Sequence, residues 1–168
     1  MQEFLGHGLA FLKAHQAWAG PLLGLGACFE ALVVIGAFAP LTPLLIMVGA
    51  GIAAGTLSPW VLTWTIAGCG VGNWFSYEVG RRARLRDQSP AWIPERTRNK
   101  ADALFSRYGA LAVIAGRFLG ATASIIPFLA GVTAMPRRRF LLANLATSLI
   151  WPVSMAALGY LGARSLAG

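Results

Sequence analysis

The chain has 168 residues, of which 57% are hydrophobic before its 20 glycines are counted and only 12% are charged. A domain this small keeps too much of its surface exposed to hide that many apolar side chains from water, and disorder needs the opposite composition. A water-soluble monomer and a disordered chain are both excluded, and the mean hydropathy of +0.63 makes lipid the expected solvent.

The charges divide the chain. From Ala14 to Tyr77 the only one is Glu30, from Tyr108 to Pro136 the only one is Arg117, and from Phe140 to Ala163 there is none. Basic residues gather between these blocks: Arg81, Arg82, Arg84, Arg86, Arg96, Arg98 and Lys100 after the first, Arg137, Arg138 and Arg139 after the second. Short loops rich in Arg and Lys stay cytoplasmic, which places both clusters on one side of the membrane.

In chain order, residues 1–19 are read as an outer interfacial helix, with His7 and His15 exposed rather than metal ligands. Residues 20–57 follow as a hairpin broken at Pro40 and Pro43, and 58–80 as a full transmembrane helix. Residues 81–108 form a cytoplasmic basic linker with an amphipathic helix. That helix opens on Pro94 in its first turn and carries Ala101, Leu104, Phe105 and Tyr108 on one face. The 109–136 stretch begins and ends on the cytoplasmic side, yet is too short for two helices of about 20 residues each. It therefore reads as a second re-entrant hairpin, interrupted by Gly116, Gly120, Pro127 and Gly131. Residues 140–163 form the last span, with Pro152 expected to kink it. The expected fold is an all-α integral membrane protein built as an inverted repeat of re-entrant hairpin plus transmembrane helix, flanked by interfacial amphipathic helices. Broken helices that meet near the midplane in inverted repeats are a common plan for secondary transporters.

A register match supports the repeat. Glu30 lies ten residues before Pro40 and Arg117 ten before Pro127, and Tyr77 and Arg81 recur as Tyr160 and Arg164 at the same spacing. Glu30 and Arg117 would then face each other across a pseudo-two-fold axis. Each costs a few kcal/mol at the centre of a membrane helix unless it finds water or a partner. One reading is an ion pair clamping the hairpins together. The other is a polar cavity in which Glu30 takes up a proton or cation, while the planar, permanently charged fork of Arg117 holds an anionic group such as phosphate.

At this point the chain resembles the DedA family of bacterial inner-membrane proteins, also called SNARE-associated or VTT-domain proteins. The resemblance covers about residues 20–164. It rests on Phe29-Glu30 ahead of Pro40-Leu41-Thr42-Pro43, on Tyr77-x-x-Gly80-Arg81, and on Phe105-x-x-Tyr108-Gly109. It continues through Gly116-Arg117-Phe118 with Pro127-x-x-Ala130-Gly131, then Phe140-x-x-x-Asn144, Trp151 and Gly159-Tyr160. What it implies is two opposed re-entrant hairpins that move a lipid, such as undecaprenyl phosphate or phosphatidylethanolamine, between leaflets as a flippase or scramblase, coupled to a proton or sodium ion. Glu30 and Arg117 take the positions of the family's hairpin acid and first hairpin arginine. Thr42 stands where relatives often carry a second acid, Ala123 where a second Arg is usual, and Asn73 where some have Asp. Thr42, Asn73, Thr122 and Ser124 join Glu30 and Arg117 as the substrate and ion site, with helix N-termini near Gly120 and Pro127 adding N–H donors.

Other classes are weighed against this. The remaining acids, Glu3, Glu78, Asp87, Glu95 and Asp102, all lie at or outside the membrane edge, and no nucleophile stands near a base, so an enzyme is not expected. A structural subunit or assembly factor that uses Glu30 and Arg117 only as a clamp is the alternative. The pI near 10.8 raises nucleic acid as a partner, but the arginines flank apolar blocks and no recognition motif accompanies them. Anionic lipid headgroups are the expected contacts. Cys28 and Cys69 read as buried free thiols, and no metal or cofactor is expected. Trp18, Trp60 and Trp92 fall near span ends, Trp151 deeper. No cleavable leader is read at the N-terminus. The expected location is the bacterial inner membrane, with the oligomeric state left open.

Overall fold

The structure, a computed structural model, describes residues 16–32, 41–86, 94–118 and 123–167. Among these it is all-helical: α1 (Gln16–Glu30), α2 (Leu41–Ala53), α3 (Val61–Leu85), α4 (Glu95–Tyr108), α5 (Ala110–Gly116), α6 (Ile125–Val132) and α7 (Arg137–Ala167). Helix length separates two kinds. At about 1.5 Å per residue, α3 and α7 exceed the roughly 30 Å of a hydrocarbon core, whereas α1, α2, α5 and α6 each fall short of it. By length and mean hydropathy (1.6), Arg137–Leu166 is the one described stretch that suits a full crossing on composition alone; α3 is diluted by Thr63, Thr65, Asn73, Ser76 and its glycines.

The packing follows a regular scheme. Helix α1 lies on α3 and α5 lies on α7; α2 lies on α7 and α6 lies on α3; α3 and α7 pack together. The close contacts are made where side chains are missing. A Cβ on Gly159 would strike the Ile46 carbonyl and one on Gly49 the Ala156 carbonyl, joining α7 to α2. A Cβ on Gly80 would strike the Phe128 carbonyl and one on Gly131 the Tyr77 carbonyl, joining α3 to α6 in the same way. Small residues that let backbones touch are how helices associate where no hydrophobic force separates helix from lipid.

The outside is apolar and the polar groups are inside. Trp18, Leu22, Leu25 and Phe29 are exposed along one stripe of α1, Val71, Phe75 and Val79 along α3, and Leu142, Leu145, Leu149 and Val153 along α7. Thr65, Asn73, Ser76, Asn144, Thr147 and Ser148 are buried on the opposite faces of α3 and α7. Apolar surface so continuous marks contact with lipid. At one end, Tyr77 and Phe140 stack with ring centroids 4.1 Å apart, and the Tyr77 hydroxyl donates to the Met135 carbonyl at 2.6 Å.

Several boundaries differ from the sequence reading. Helix α3 continues to Leu85 instead of stopping at Gly80, because arginine is a good helix former and a cation is favoured in a last turn. Helix α7 starts at Arg137 instead of Phe140, its first residue tied to Glu78 by paired hydrogen bonds of 2.9 and 3.0 Å, and it runs through Pro152 as one helix. Residues 16–19, read as the end of an interfacial helix, belong to α1; the rest of that helix lies outside the described residues. Pro94 precedes α4 rather than occupying its first turn. Ala101 and Phe105 of α4 are buried beneath Tyr77, while Leu104 and Tyr108 are exposed. Gly109 turns the chain from α4 into α5 at φ 52° and ψ −126°, a conformation that strains any residue with a Cβ.

Three residues expected to break the helices lie inside them. Pro43 and Pro127 are each the third residue of the helix after the gap, α2 and α6, where a missing N–H costs no hydrogen bond. Gly131 is inside α6 and serves the contact with α3. Pro40 and Gly120 lie outside the described residues.

Candidate functional site

The two lone charges end two short helices. Glu30 is the last residue of α1 and Arg117 follows the last turn of α5, where a cation complements the negative end of the helix. Their side chains meet between the halves of the molecule, Arg117 Nη2 to Glu30 Oε2 at 3.8 Å, with only 6% and 12% of the side chains exposed. That separation is an ion pair but exceeds a charge-assisted hydrogen bond of about 2.7–2.9 Å.

Each charge has its own surroundings. The first N–H of α2, at Leu41, donates to Glu30 Oε1 at 3.4 Å, so the carboxylate joins the end of α1 to the start of α2. The Arg117 guanidinium lies over the Trp151 ring, 4.4 Å from its centroid, and donates to Cys69 Sγ at 3.7 Å. A cation over an indole face is attracted by the ring quadrupole, more strongly when water is excluded. Trp151 from α7 and Cys69 from α3 thus carry Arg117 between the two long helices.

Beside the pair lies a buried amide network. Asn73 on α3 donates through Nδ2 to Asn144 Oδ1 on α7 at 3.0 Å; Asn144 Nδ2 donates to the Gly70 carbonyl at 2.9 Å, and the Ser148 hydroxyl to Asn144 Oδ1 at 3.2 Å. The Ser76 hydroxyl donates to the Ala31 carbonyl at 2.9 Å, satisfying backbone just past the end of α1. Between this network and α6 is a cavity of about 10 Å³ lined by Asn73, Arg117, Ile126, Pro127, Asn144 and Thr147, among others. This polar space among the described residues is close to the size of one water molecule. Phe140 also lines it.

Of the other residues singled out by sequence, Asn73 is in this network. Ser124 is buried at the start of α6 and Thr42 is half-buried in the first turn of α2; no described contact joins either to the ion pair. Thr122 lies outside the described residues. Cys69, Asn144, Thr147, Ser148 and Trp151 were not assigned to the site from sequence. A signal was present. Thr65, Cys69, Asn73 and Tyr77 recur every four residues on α3, and Asn144, Thr147, Ser148 and Trp151 share one face of α7, two polar stripes in otherwise apolar helices.

Comparison with known proteins places this arrangement. The VTT domain matches residues 39–161, and the chain belongs to that family, the DedA proteins. It is 34% identical over 128 residues to the inner membrane protein YghB of Escherichia coli strain K12, covering 73% of this chain and 58% of YghB. It is 28% identical over 156 residues to YabI of the same strain, covering 90% of this chain and 60% of YabI, and 30% identical over 129 residues to YqjA, covering 74% and 59%. The chain thus spans less than two thirds of the length of these relatives. No solved structure matches it. Apolar exterior, family and relatives together make it an inner-membrane protein.

Proposed function

We propose that this protein moves a lipid with a phosphate-bearing headgroup between the leaflets of the inner membrane. It would act as a transporter rather than an enzyme, with Glu30 as the proton or sodium site and Arg117 as the headgroup anchor. The observation that carries this reading is the buried pair itself: two opposite charges at the ends of short helices, 3.8 Å apart and short of full hydrogen bonding. Each charge costs about 2.5–3.5 kcal/mol at a membrane helix centre on insertion scales, and a loosely closed pair recovers less of that cost than a closed one. Such a pair can exchange partners, with the carboxylate passing to a proton or cation and the guanidinium to a phosphate.

The packing scheme supports an inverted repeat. Exchanging α1 with α5, α2 with α6 and α3 with α7 turns each packed pair of helices into another packed pair, and the glycine contacts of α2 on α7 become those of α6 on α3. The four short helices then form two re-entrant hairpins entering from opposite sides, since none of them crosses the core alone. The space beside Arg117 among the described residues is about 10 Å³, and on this reading loading comes with a parting of the hairpins. That motion would pull Arg117 off Trp151 and Glu30 together.

The test is transbilayer movement of headgroup-labelled phospholipids in reconstituted liposomes, for wild type, Glu30→Gln and Arg117→Ala at two pH values. Wild-type movement above empty vesicles, lost in Arg117→Ala and made independent of pH in Glu30→Gln, is the expected result. Movement no greater than in empty vesicles refutes transport. Equal movement in all three proteins refutes the assignment of the site.

A further inference from the structure

The amide network leaves one buried acceptor over. Asn144 Nδ2 is held by the Gly70 carbonyl, so Asn144 presents Oδ1 to Asn73, and Asn73 must answer with its NH2 group. That fixes the orientation of Asn73 and turns its Oδ1 away from Asn144. The oxygen is buried, on a residue only 2% exposed, and accepts no hydrogen bond from any described residue. An unsatisfied buried carbonyl costs about 1–3 kcal/mol.

The cavity beside it has the size and the chemistry to satisfy that oxygen. Its volume of about 10 Å³ is close to the least that holds one water. Its polar lining is Asn73, Arg117, Asn144 and Thr147. Asn144 Oδ1 already accepts from both Asn73 and Ser148, and the Thr147 hydroxyl spends its hydrogen on the Asn144 carbonyl at 3.1 Å, leaving its oxygen able to accept. Arg117 is a donor whose described partners are a sulfur at 3.7 Å and a carboxylate at 3.8 Å. One donor residue and two residues with a free acceptor line a space for one small molecule.

We propose that Asn73, Arg117 and Thr147 hold a single ordered water. It accepts from the Arg117 guanidinium and donates to Asn73 Oδ1 and Thr147 Oγ1, three bonds, the usual number for a buried water. A sodium ion would suit the two oxygens, but the guanidinium on the same cavity repels it. The water gives Arg117 an oxygen partner besides Cys69 and Glu30, so Asn73 is a positioning residue for the ion pair. The site does not depend on transport being the function.

X-ray hydroxyl-radical labelling of the purified protein in detergent tests it, because radicals formed from a bound water oxidise the side chains around it while dry core stays unlabelled. Ile126 and Pro127 are expected to be labelled several-fold faster than Leu45 and Val48, which are also buried but line no part of this cavity. Asn73→Leu, which fills the space, and Thr147→Val, which removes one acceptor at nearly constant volume, should each lower labelling at Ile126 and Pro127 and leave Leu45 and Val48 unchanged. Should Asn73→Leu fail to fold, Thr147→Val alone decides. Labelling of Ile126 and Pro127 no faster than Leu45 in wild type, or unchanged in Thr147→Val, overturns the proposal.

Discussion

Replacing Glu30 by Gln keeps shape and removes charge, leaving Arg117 buried against Trp151 and Cys69 without a counter-ion. At 3.8 Å and an effective dielectric of about 20, the lost attraction is about 4 kcal/mol, which agrees with the roughly 3–5 kcal/mol seen when one partner of a buried pair is removed. Arg117→Met, which fills much of the same volume, leaves the carboxylate unpaired and should cost a similar amount. The double variant Glu30→Gln, Arg117→Met buries no charge and should be far more stable than the sum of the two losses, with a coupling energy of about 4 kcal/mol. Unfolding in mixed micelles titrated with sodium dodecyl sulfate, followed by tryptophan fluorescence, measures all four corners of the cycle. Losses that add to within about 0.5 kcal/mol would show that the two side chains do not feel each other, and the electrostatic account of the site would fall. The same double variant separates transport from a clamp. A clamp replaced by apolar contact keeps its function, whereas a transporter becomes a stable protein that moves no lipid.

Other consequences are simpler. Gly80→Leu and Gly131→Leu put side chains where the Phe128 and Tyr77 carbonyls sit, so each should cost more than the roughly 1–3 kcal/mol of ordinary overpacking and lower the yield of folded protein in size-exclusion chromatography. Gly162→Ala, whose Cβ meets nothing within 4 Å, should instead stabilise α7 by about 0.8–1 kcal/mol and raise the thermal midpoint. Tyr77→Phe removes the buried hydroxyl that donates to Met135 at 2.6 Å and leaves that carbonyl unpaired, a loss of about 1–3 kcal/mol visible in the same thermal assay. Cys69, fully buried beside Arg117, should resist a water-soluble maleimide in the folded protein and react after denaturation; rapid labelling of the native protein would place Arg117 in contact with solvent.

What could be read in the sequence was whatever the lipid imposes. Glu30 and Arg117 stood out because a charge is costly in an apolar block, and their pairing followed from opposite signs at matching distances from a proline. The roles of the prolines and glycines were harder to read. Pro43 and Pro127 mark breaks without occupying them, because proline is harmless in the first turn of a new helix and harmful in the last turn of an old one. Gly131 looks like a breaker in sequence, and only the Tyr77 carbonyl lying where its Cβ would be shows why it is there. Trp151 and Cys69 read as generic apolar residues, since nothing local reveals that a guanidinium thirty or more residues away in sequence settles between them. Asn144 was visible as a polar residue in a span, but its partner lies 71 positions away, and no periodicity reports on a contact that distant.

The two charges sit in surroundings that are not interchangeable, and this changes which experiment can discriminate between transport and a clamp. If the pair were a clamp on a truly symmetric frame, exchanging Glu30 and Arg117 would be tolerated. The surroundings forbid it on either reading. A glutamate at 117 would lay its negative charge on the negative face of the Trp151 ring, reversing the attraction that holds a cation there. An arginine at 30 would meet the Leu41 N–H, a donor facing a donor, at the positive end of α2. Loss of function in the exchanged protein would therefore follow even from a purely structural pair. The side chains around the two positions suit one to an anion and the other to a cation. Neutralising both charges removes them without reversing either environment, and for that reason it distinguishes a site from a clamp where the exchange does not.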